Sequence, residues 1–287
     1  MIIDENKKFL IIGLGLLGGS YAKALSAKGY TVRAIDTNEN SIKYALSNGF
    51  ISEGDTAVNK DFIDNSDIVV FALYPHIFVD WVEENGHLFK AGTIVTDVTG
   101  VKSGVVDKVQ SILREDVEFI SAHPMAGRER SGVEFSDEKV FCGANYIVTP
   151  TEKNTPEAIE LCKSLGEELG FARISELSPK RHDEMIAFLS QLTHCIAVVL
   201  MTCNTTPDLE KYTGDSFRDL TRIAKINDEM WSELFLENKD ILLEQMKGFS
   251  DEFERFRKML ECGDRDGMRE SMRLSTSRRT LFDKPKS

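Results

Sequence analysis

At 287 residues the chain is near the size at which a single hydrophobic core stops growing, so a division into two folded units is expected. Its 47 acidic against 35 basic residues give a net charge of −12, which opposes binding to the phosphate backbone of nucleic acids. The five cysteines, Cys142, Cys162, Cys195, Cys203 and Cys262, form no Cys-x-x-Cys pair and have no histidine at zinc spacing; no metal site or disulfide framework is expected, and a reduced, cytoplasmic setting is.

The charged segment 1–8 leads straight into an apolar strand, leaving no room for a secretory signal. That strand, Phe9-Leu10-Ile11-Ile12, runs into Gly13-Leu14-Gly15-Leu16-Leu17-Gly18 and then into a helix-compatible stretch from Tyr21 to Ala27. In such a strand–glycine loop–helix unit the first glycine makes the tight turn and the second lets the backbone approach a pyrophosphate. The third lets the helix pack closely on the strand. Residues 31–35 read as the second strand and end at Asp36, where a carboxylate binds the adenosine ribose hydroxyls of a dinucleotide. Gly13, Leu14, Gly15, Leu16, Leu17, Gly18 and Asp36 are therefore the candidate cofactor residues; the bland alternative is that the glycines serve only a tight turn. Asp36 repels a 2′-phosphate and so favours NAD, while the small polar Thr37 and Asn38 keep NADP as the alternative.

Strands and helices continue to alternate. A helix is expected over 39–47, a buried strand over 67–73 ended by Pro75, and a turn and strand over 91–98. The apolar run 117–122 ends in His123-Pro124-Met125-Ala126-Gly127; a strand over 145–150, a helix over 155–169 closed by Gly170, and a last strand over 171–174 follow. This is the pattern of a doubly wound, Rossmann-type α/β sheet with helices on both faces. At the carboxyl end of a strand in such a sheet, His123 stands beside the ligand crevice, which makes it the candidate proton acceptor next to a hydride acceptor.

Strand signals stop near residue 177, so a dinucleotide-binding domain over 1–175 and an all-helical domain over 176–287 are expected. Ser178-Pro179 and Asn227 with Asp228 and Glu229 are helix starts. The apolar stretch 186–201 is interrupted by Ser190, Gln191, Thr193 and His194 and reads as too short and too polar to span a bilayer. At about 100° per residue, Asp183, Ala187, Ser190, Gln191 and His194 share one stripe of an otherwise apolar, hence buried, helix. Buried polar groups need partners, which are either protein groups or a ligand. His182 falls off the stripe and reads as a packing histidine. Farther on, Arg218 and Arg222 are four residues apart; Arg222, among apolar neighbours, reads as a clamp on a buried carboxylate or as a salt bridge to Asp215, Asp219 or Glu229.

Taken together, the Gly13-to-Asp36 fingerprint, Thr96-Asp97-Val98 with Val101-Lys102, His123 to Gly127 with Glu129 and Ser131-Gly132, the Ser190-to-His194 segment, and Phe217-Arg218-Asp219 through Arg222 to Trp231 resemble the prephenate/arogenate dehydrogenase family. The resemblance implies a Rossmann-type NAD(P) domain and a helical dimerisation domain that completes the active site. It also implies oxidative decarboxylation of prephenate to 4-hydroxyphenylpyruvate in tyrosine biosynthesis, with arogenate as the alternative substrate. His123 matches the family's catalytic histidine, and His194 and Arg222 match carboxylate-anchoring positions; Gln191, Thr99 and Glu129 are further candidate substrate contacts. The chain departs from the family pattern at Gly100, where many members have serine, leaving Thr99, Ser103 or a water to replace that hydroxyl. It departs again at Gln191, where many have histidine; retention of His194 favours prephenate. A homodimer through the helical domain is expected, with the Arg265, Arg269, Arg273, Arg278 and Arg279 series either meeting a partner subunit or forming a solvated face. No length is expected to remain for a regulatory or fused mutase domain. Hydroxyacid dehydrogenases that rely on a helix lysine are disfavoured because 182–203 contains none, and a non-catalytic NAD-sensing protein is the alternative outside enzymes.

Overall fold

The computed structural model describes residues 3–127 and 130–283. It divides into two compact units, Met1–Asn238 and Lys239–Ser287. In the first, β1 (Lys8–Ile12), β2 (Thr31–Ile35), β3 (Glu53–Asp55), β4 (Ile68–Phe71), β5 (Ile94–Asp97) and β6 (Glu118–Phe119) form a parallel sheet in the order β3-β2-β1-β4-β5-β6. Helices α1 (Leu16–Ala27), α2 (Glu39–Ser47), α3 (Lys60–Asp64), α4 (Pro75–Asn85), α5 (Ser103–Ile112) and α6 (Pro156–Glu168) supply the two covering layers. Because successive strand residues face opposite sides, β1 feeds two cores. Phe9 and Ile11 pack with Tyr21 and Leu25 of α1 and Leu165 of α6. Leu10 and Ile12 pack with Phe62 of α3, Phe78 and Val82 of α4, and Val105 and Val109 of α5. Strand order reverses between β1 and β4, and the crevice at their carboxyl ends is where a fold of this kind receives its ligand.

The apolar run ending at Ala122 is not one strand, as the sequence pattern suggested. β6 stops at Phe119, the Ile120 amide still donates to Val95 (3.0 Å), and the chain then enters a second sheet. There β7 (Ser121–Pro124) pairs antiparallel with β8 (Asn145–Thr149), which pairs parallel with β9 (Arg173–Glu176). His123 therefore lies within β7 opposite Ile147, instead of beyond the end of a strand in the main sheet. β3 was not anticipated: three residues at a sheet edge, Glu53-Gly54-Asp55, carry no apolar signal.

The helical part of this unit begins at α7 (Pro179–Ile186), capped by Ser178, whose side chain accepts from the Arg181 amide. It continues through a π-helical turn, Ala187–Leu192, into α8 (Thr193–Thr202), and then α9 (Asp215–Thr221) and α10 (Asp228–Glu237), the last capped by Asn227. The helix runs continuously over 24 residues, Pro179–Thr202, and an 18-residue window of it has a mean hydropathy of 1.8, long and apolar enough by length and composition to cross a membrane. This corrects the expectation that it is too short and too polar. Nor is it buried all round: Phe188, Leu189, Val199 and Met201 are exposed.

The second unit is a helical hairpin, α11 (Lys239–Glu261) and α12 (Arg265–Arg279), turned at Gly263, whose φ of +68° suits glycine. Its Phe253, Leu260, Met272 and Leu274 are exposed.

Candidate active site

The glycine loop is held where β1 meets α1. Gly13 has φ +96°, its amide donates to Ile35 (2.9 Å), and a Cβ there would lie 2.6 Å from the Ala72 carbonyl oxygen. A Cβ on Gly18 would fall 1.9 Å from the Gly13 oxygen, so only glycine permits the helix to pack this closely on the loop. At Gly15, by contrast, a Cβ would meet nothing within 4 Å: this side of the loop is open. Side chains cap α2, α3, α6, α7 and α10, but none caps α1 at Gly15. The first amides of α1, on Leu16, Leu17 and Gly18, thus sit at an open, uncapped helix start, the arrangement that receives a phosphate. Asp36, at the end of β2, accepts from the Leu14 and Asn38 amides and stays partly exposed at the mouth of the loop. The donor set fits a dinucleotide: amides for the pyrophosphate and a fixed carboxylate for a ribose.

On the same carboxyl edge of the sheet, β5 ends in the fully buried Asp97. Its Oδ1 accepts from Ser121 Oγ (2.5 Å) and the Ala122 amide (3.2 Å), and its Oδ2 from Lys102 Nζ (2.8 Å), the Thr99 amide (3.0 Å) and the Thr99 hydroxyl. Lys102, also fully buried, directs its ammonium to Asp97, to the Ala122 carbonyl (2.7 Å) and to Thr99 Oγ1 (3.2 Å), which accounts for all three of its protons. Burial pulls the Lys102 pKa below its usual value, against the pull of Asp97. This pair fixes the two residues immediately before His123.

His123 is half-buried. Its Nδ1 lies 2.8 Å from Nε2 of the fully buried His182, and His182 Nδ1 lies 2.8 Å from Asp183 Oδ1. Asp183 also accepts the Lys102 amide (2.9 Å) and the Ser103 amide (2.8 Å) at the start of α5. Burial holds the His123 pKa well below 6.5, reinforced by His182 and Lys102; burial likewise lowers that of His182 in spite of Asp183. On its other side His123 faces Gly100: a Cβ built there would lie 4.0 Å from His123 Cε1 and 3.4 Å from Leu234 of α10. The imidazole is thus neutral, fixed from behind, and unscreened by any side chain at position 100.

Other predicted residues fall as follows. The His194 ring stacks on Trp231 (centroids 3.7 Å apart, planes 29° apart), with its Nδ1 2.8 Å from the Ser190 carbonyl oxygen. Arg222 opens a short 3-10 turn, Arg222–Ala224, that packs against α8, the helix carrying His194. Its side chain is exposed and not sunk among apolar neighbours as expected: Leu220, two residues before it, is exposed, and Ile223 and Ala224 after it are only half-buried. Thr99 and Gln191 do not present polar groups to a ligand. The Thr99 hydroxyl is buried between Asp97 and the Val101 carbonyl (2.9 Å). The buried Gln191 amide donates to the Leu234 carbonyl (2.7 Å) and accepts from Asn238 (2.8 Å), because the π turn directs it into the helix packing. Glu129 lies outside the described residues. His182, Asp183 and Trp231 belong to the site, although the sequence places Asp183 only on the polar stripe, His182 only as a packing histidine and Trp231 only at the end of a family segment; the adjacency of a histidine and an aspartate ahead of the apolar helix was the available signal.

An open glycine loop with an acidic ribose position, and a neutral histidine set against the loop that follows β5 of the doubly wound sheet, define a nicotinamide-dependent dehydrogenase. The profile described as prephenate dehydrogenase, nucleotide-binding domain, matches residues 21–175, and that described as prephenate dehydrogenase, dimerization domain, matches 178–274. The chain is 30% identical over 267 residues to the prephenate dehydrogenase of Bacillus subtilis, spanning 90% of this chain and 71% of that one. It is 28% identical over 284 residues to the cyclohexadienyl dehydrogenase of Zymomonas mobilis, spanning 95% of each. The crystal structure of prephenate dehydrogenase from A. aeolicus in complex with hydroxyphenyl propionate and NAD+ matches with a TM-score of 0.90 at 31% identity, over 98% of this chain and 100% of that one. The chain belongs to the prephenate dehydrogenase family and is an NAD-dependent oxidoreductase, as the resemblance of its motifs implied.

Two predictions follow from the buried charges. Replacing Lys102 by Met leaves Asp97 without its cation inside the protein and is expected to destabilise the fold by roughly 3–5 kcal/mol, read from urea unfolding; a loss under 1 kcal/mol on the same scale contradicts the role given to the pair. His123 and His182 are neutral in the fold, whereas in the unfolded chain each takes up a proton below about pH 6.5. Their depressed values therefore give stability that is complete above about pH 6.5 and is lost as pH falls toward the folded values. The thermal midpoint should decline between about pH 6.5 and 5, and His123→Asn should make that decline shallower.

Proposed function

We propose that the chain is a prephenate dehydrogenase in which His123 takes the proton of the substrate's ring hydroxyl, converting prephenate to 4-hydroxyphenylpyruvate for tyrosine biosynthesis. The observation that carries this reading is the neutral imidazole of β7, held from behind and set against the loop that follows β5 of the dinucleotide-binding sheet. A base that accepts a proton as hydride departs must be unprotonated at working pH, and a histidine of lowered pKa meets that condition. Bound NAD+ would supply the acceptor for the hydride of the hydroxyl-bearing carbon, and the ring ketone so formed would draw the electrons of the departing carboxylate as the ring aromatises. Gly13, Leu14, Gly15, Leu16, Leu17 and Gly18 hold the pyrophosphate and Asp36 a ribose; the Asp36 charge favours NAD over NADP.

His194, flattened against Trp231, and Arg222, on the turn packed against the same helix, anchor the substrate carboxylates, with Glu129 as a further contact. Thr99 and Gln191 act from behind: one locks the loop after β5, the other ties the π turn to α10 and Asn238. With no side chain at Gly100, the reacting hydroxyl depends on His123 alone among these neighbours. We assign 1–175 to cofactor binding and 176–287 to substrate binding and dimerisation. The exposed apolar residues of Pro179–Thr202 are then covered by a second copy of the chain, in a cytoplasmic homodimer and away from any membrane.

The test is the appearance of reduced cofactor with NAD or NADP and with prephenate or arogenate as separate substrates; no reduction with either substrate overturns the reading. His123→Asn is expected to lower kcat by about 10²–10⁴-fold while NAD affinity persists, and undiminished turnover removes His123 from the chemistry. Arg222→Ala is expected to act mainly on KM, raising it by about 10-fold or more for prephenate with kcat little changed. An unchanged KM shows that the guanidinium does not touch the substrate.

A further inference from the structure

We infer that His182 and Asp183 are positioning residues that fix the tautomer of His123, leaving its Nε2 as the proton-accepting atom. This rests on the assignment of His123 as the base.

With His182 neutral, the protons of this buried chain have one consistent arrangement. The Asp183 carboxylate accepts the amide hydrogens of Lys102 and Ser103 and has none to give. At 2.8 Å from Asp183 Oδ1, Nδ1 of His182 must therefore carry the hydrogen. A neutral His182 then has a bare Nε2, which can only accept, so the His123 Nδ1 2.8 Å away must donate. A neutral imidazole has one ring hydrogen, and with it on Nδ1 the lone pair is on Nε2. The reverse assignment requires either a cationic His182, which its burial disfavours, or a protonated Asp183. Burial alone would favour that form, but the hydrogen bonds from His182 and Ser103 more than offset it and keep the carboxyl below its usual range.

The same chain prepares for the charge that follows. Lys102 and Asp97 form a pair whose net charge is zero whether or not the proton lies between them. Asp183 is then the uncompensated anion of the cluster, one histidine away from the imidazolium that forms when His123 takes a proton. The two positioning residues sit on one turn of α7 and their partners on α5 and β7, so the chain of hydrogen bonds exists only with α7 docked against both. Asn238 secures that docking, donating to the Asp183 carbonyl (3.0 Å) and to Gln191 (2.8 Å).

The experiment is heteronuclear NMR of the histidine ring nitrogens in the unliganded full-length protein, with His123→Asn used to assign the His123 signals. The expected spectrum has His123 protonated at Nδ1 and bare at Nε2; a bare Nδ1 overturns the inference. His182→Phe removes the acceptor and should mix the two tautomers and lower kcat about 10–10³-fold, with KM for prephenate and NAD affinity within about twofold. His182→Gln, whose carbonyl can accept from His123 while its amide donates to Asp183, should keep the tautomer and restore kcat to within about tenfold of the parent. Full turnover in His182→Phe, or an unaltered tautomer there, refutes the positioning role. If His123→Asn abolishes turnover while the parent spectrum shows a bare Nδ1, the base assignment stands and only this inference falls.

Discussion

The ammonium of Lys102, shut away from water, is the constraint on which the site is built. A buried cation is tolerated only when each of its protons has a partner, and the three available are the Asp97 carboxylate at the end of β5, the Thr99 hydroxyl in the loop beyond it, and the Ala122 carbonyl of β7. Meeting that demand ties the main sheet to the first strand of the second one at a single point. His123, the next residue along β7, inherits its position from that tie. The backbone of the same lysine helps hold Asp183, so the carboxylates of Asp97 and Asp183 are ordered by opposite ends of one residue.

This arrangement explains why a catalytic histidine can stand in an antiparallel strand and still serve a parallel-sheet crevice. A strand that simply continued β6 would be locked in the register of the main sheet, with alternate residues pointed into one core or the other. By leaving the main sheet after Phe119, the chain frees the orientation of His123 from the pleat of β6 and gives it to the Asp97–Lys102 pair. The first turns of α7 then close over the far side of the ring with His182.

What was legible in the sequence follows from how local each signal is. The glycine fingerprint, Asp36 and the caps at Ser178 and Asn227 are dictated by turn chemistry within a few residues, and each could be read directly. The run up to Ala122 misled because hydrophobicity shows that residues are buried but not in which sheet, and Glu53-Gly54-Asp55 pairs as an edge strand with no apolar residue to announce it. The exposed side chain of Arg222 shows the same limit from the other side: apolar neighbours in sequence do not cover a residue when they are themselves exposed, as Leu220 is, or only half-buried, as Ile223 and Ala224 are.

His182 is the buried, protein-bonded histidine the sequence reading made it, but its partnership with His123 was hidden for a more specific reason. A uniform 100° step along 182–194 places Asp183 and Gln191 on one stripe with His194 and leaves His182 outside it. The π turn at Ala187–Leu192 breaks that step in the middle of the segment, so the residues before and after it no longer share a phase. His182 and Asp183 are both buried and face α5 and β7, while His194, beyond the turn, stacks on Trp231 of α10. Gln191 is the residue displaced by the irregularity, and its bonds to the Leu234 carbonyl and Asn238 hold the widened turn in place. One helix thereby carries two groups of polar residues in different directions, His182 with Asp183 toward the base and His194 toward α10, which a regular helix at the same spacing would not do.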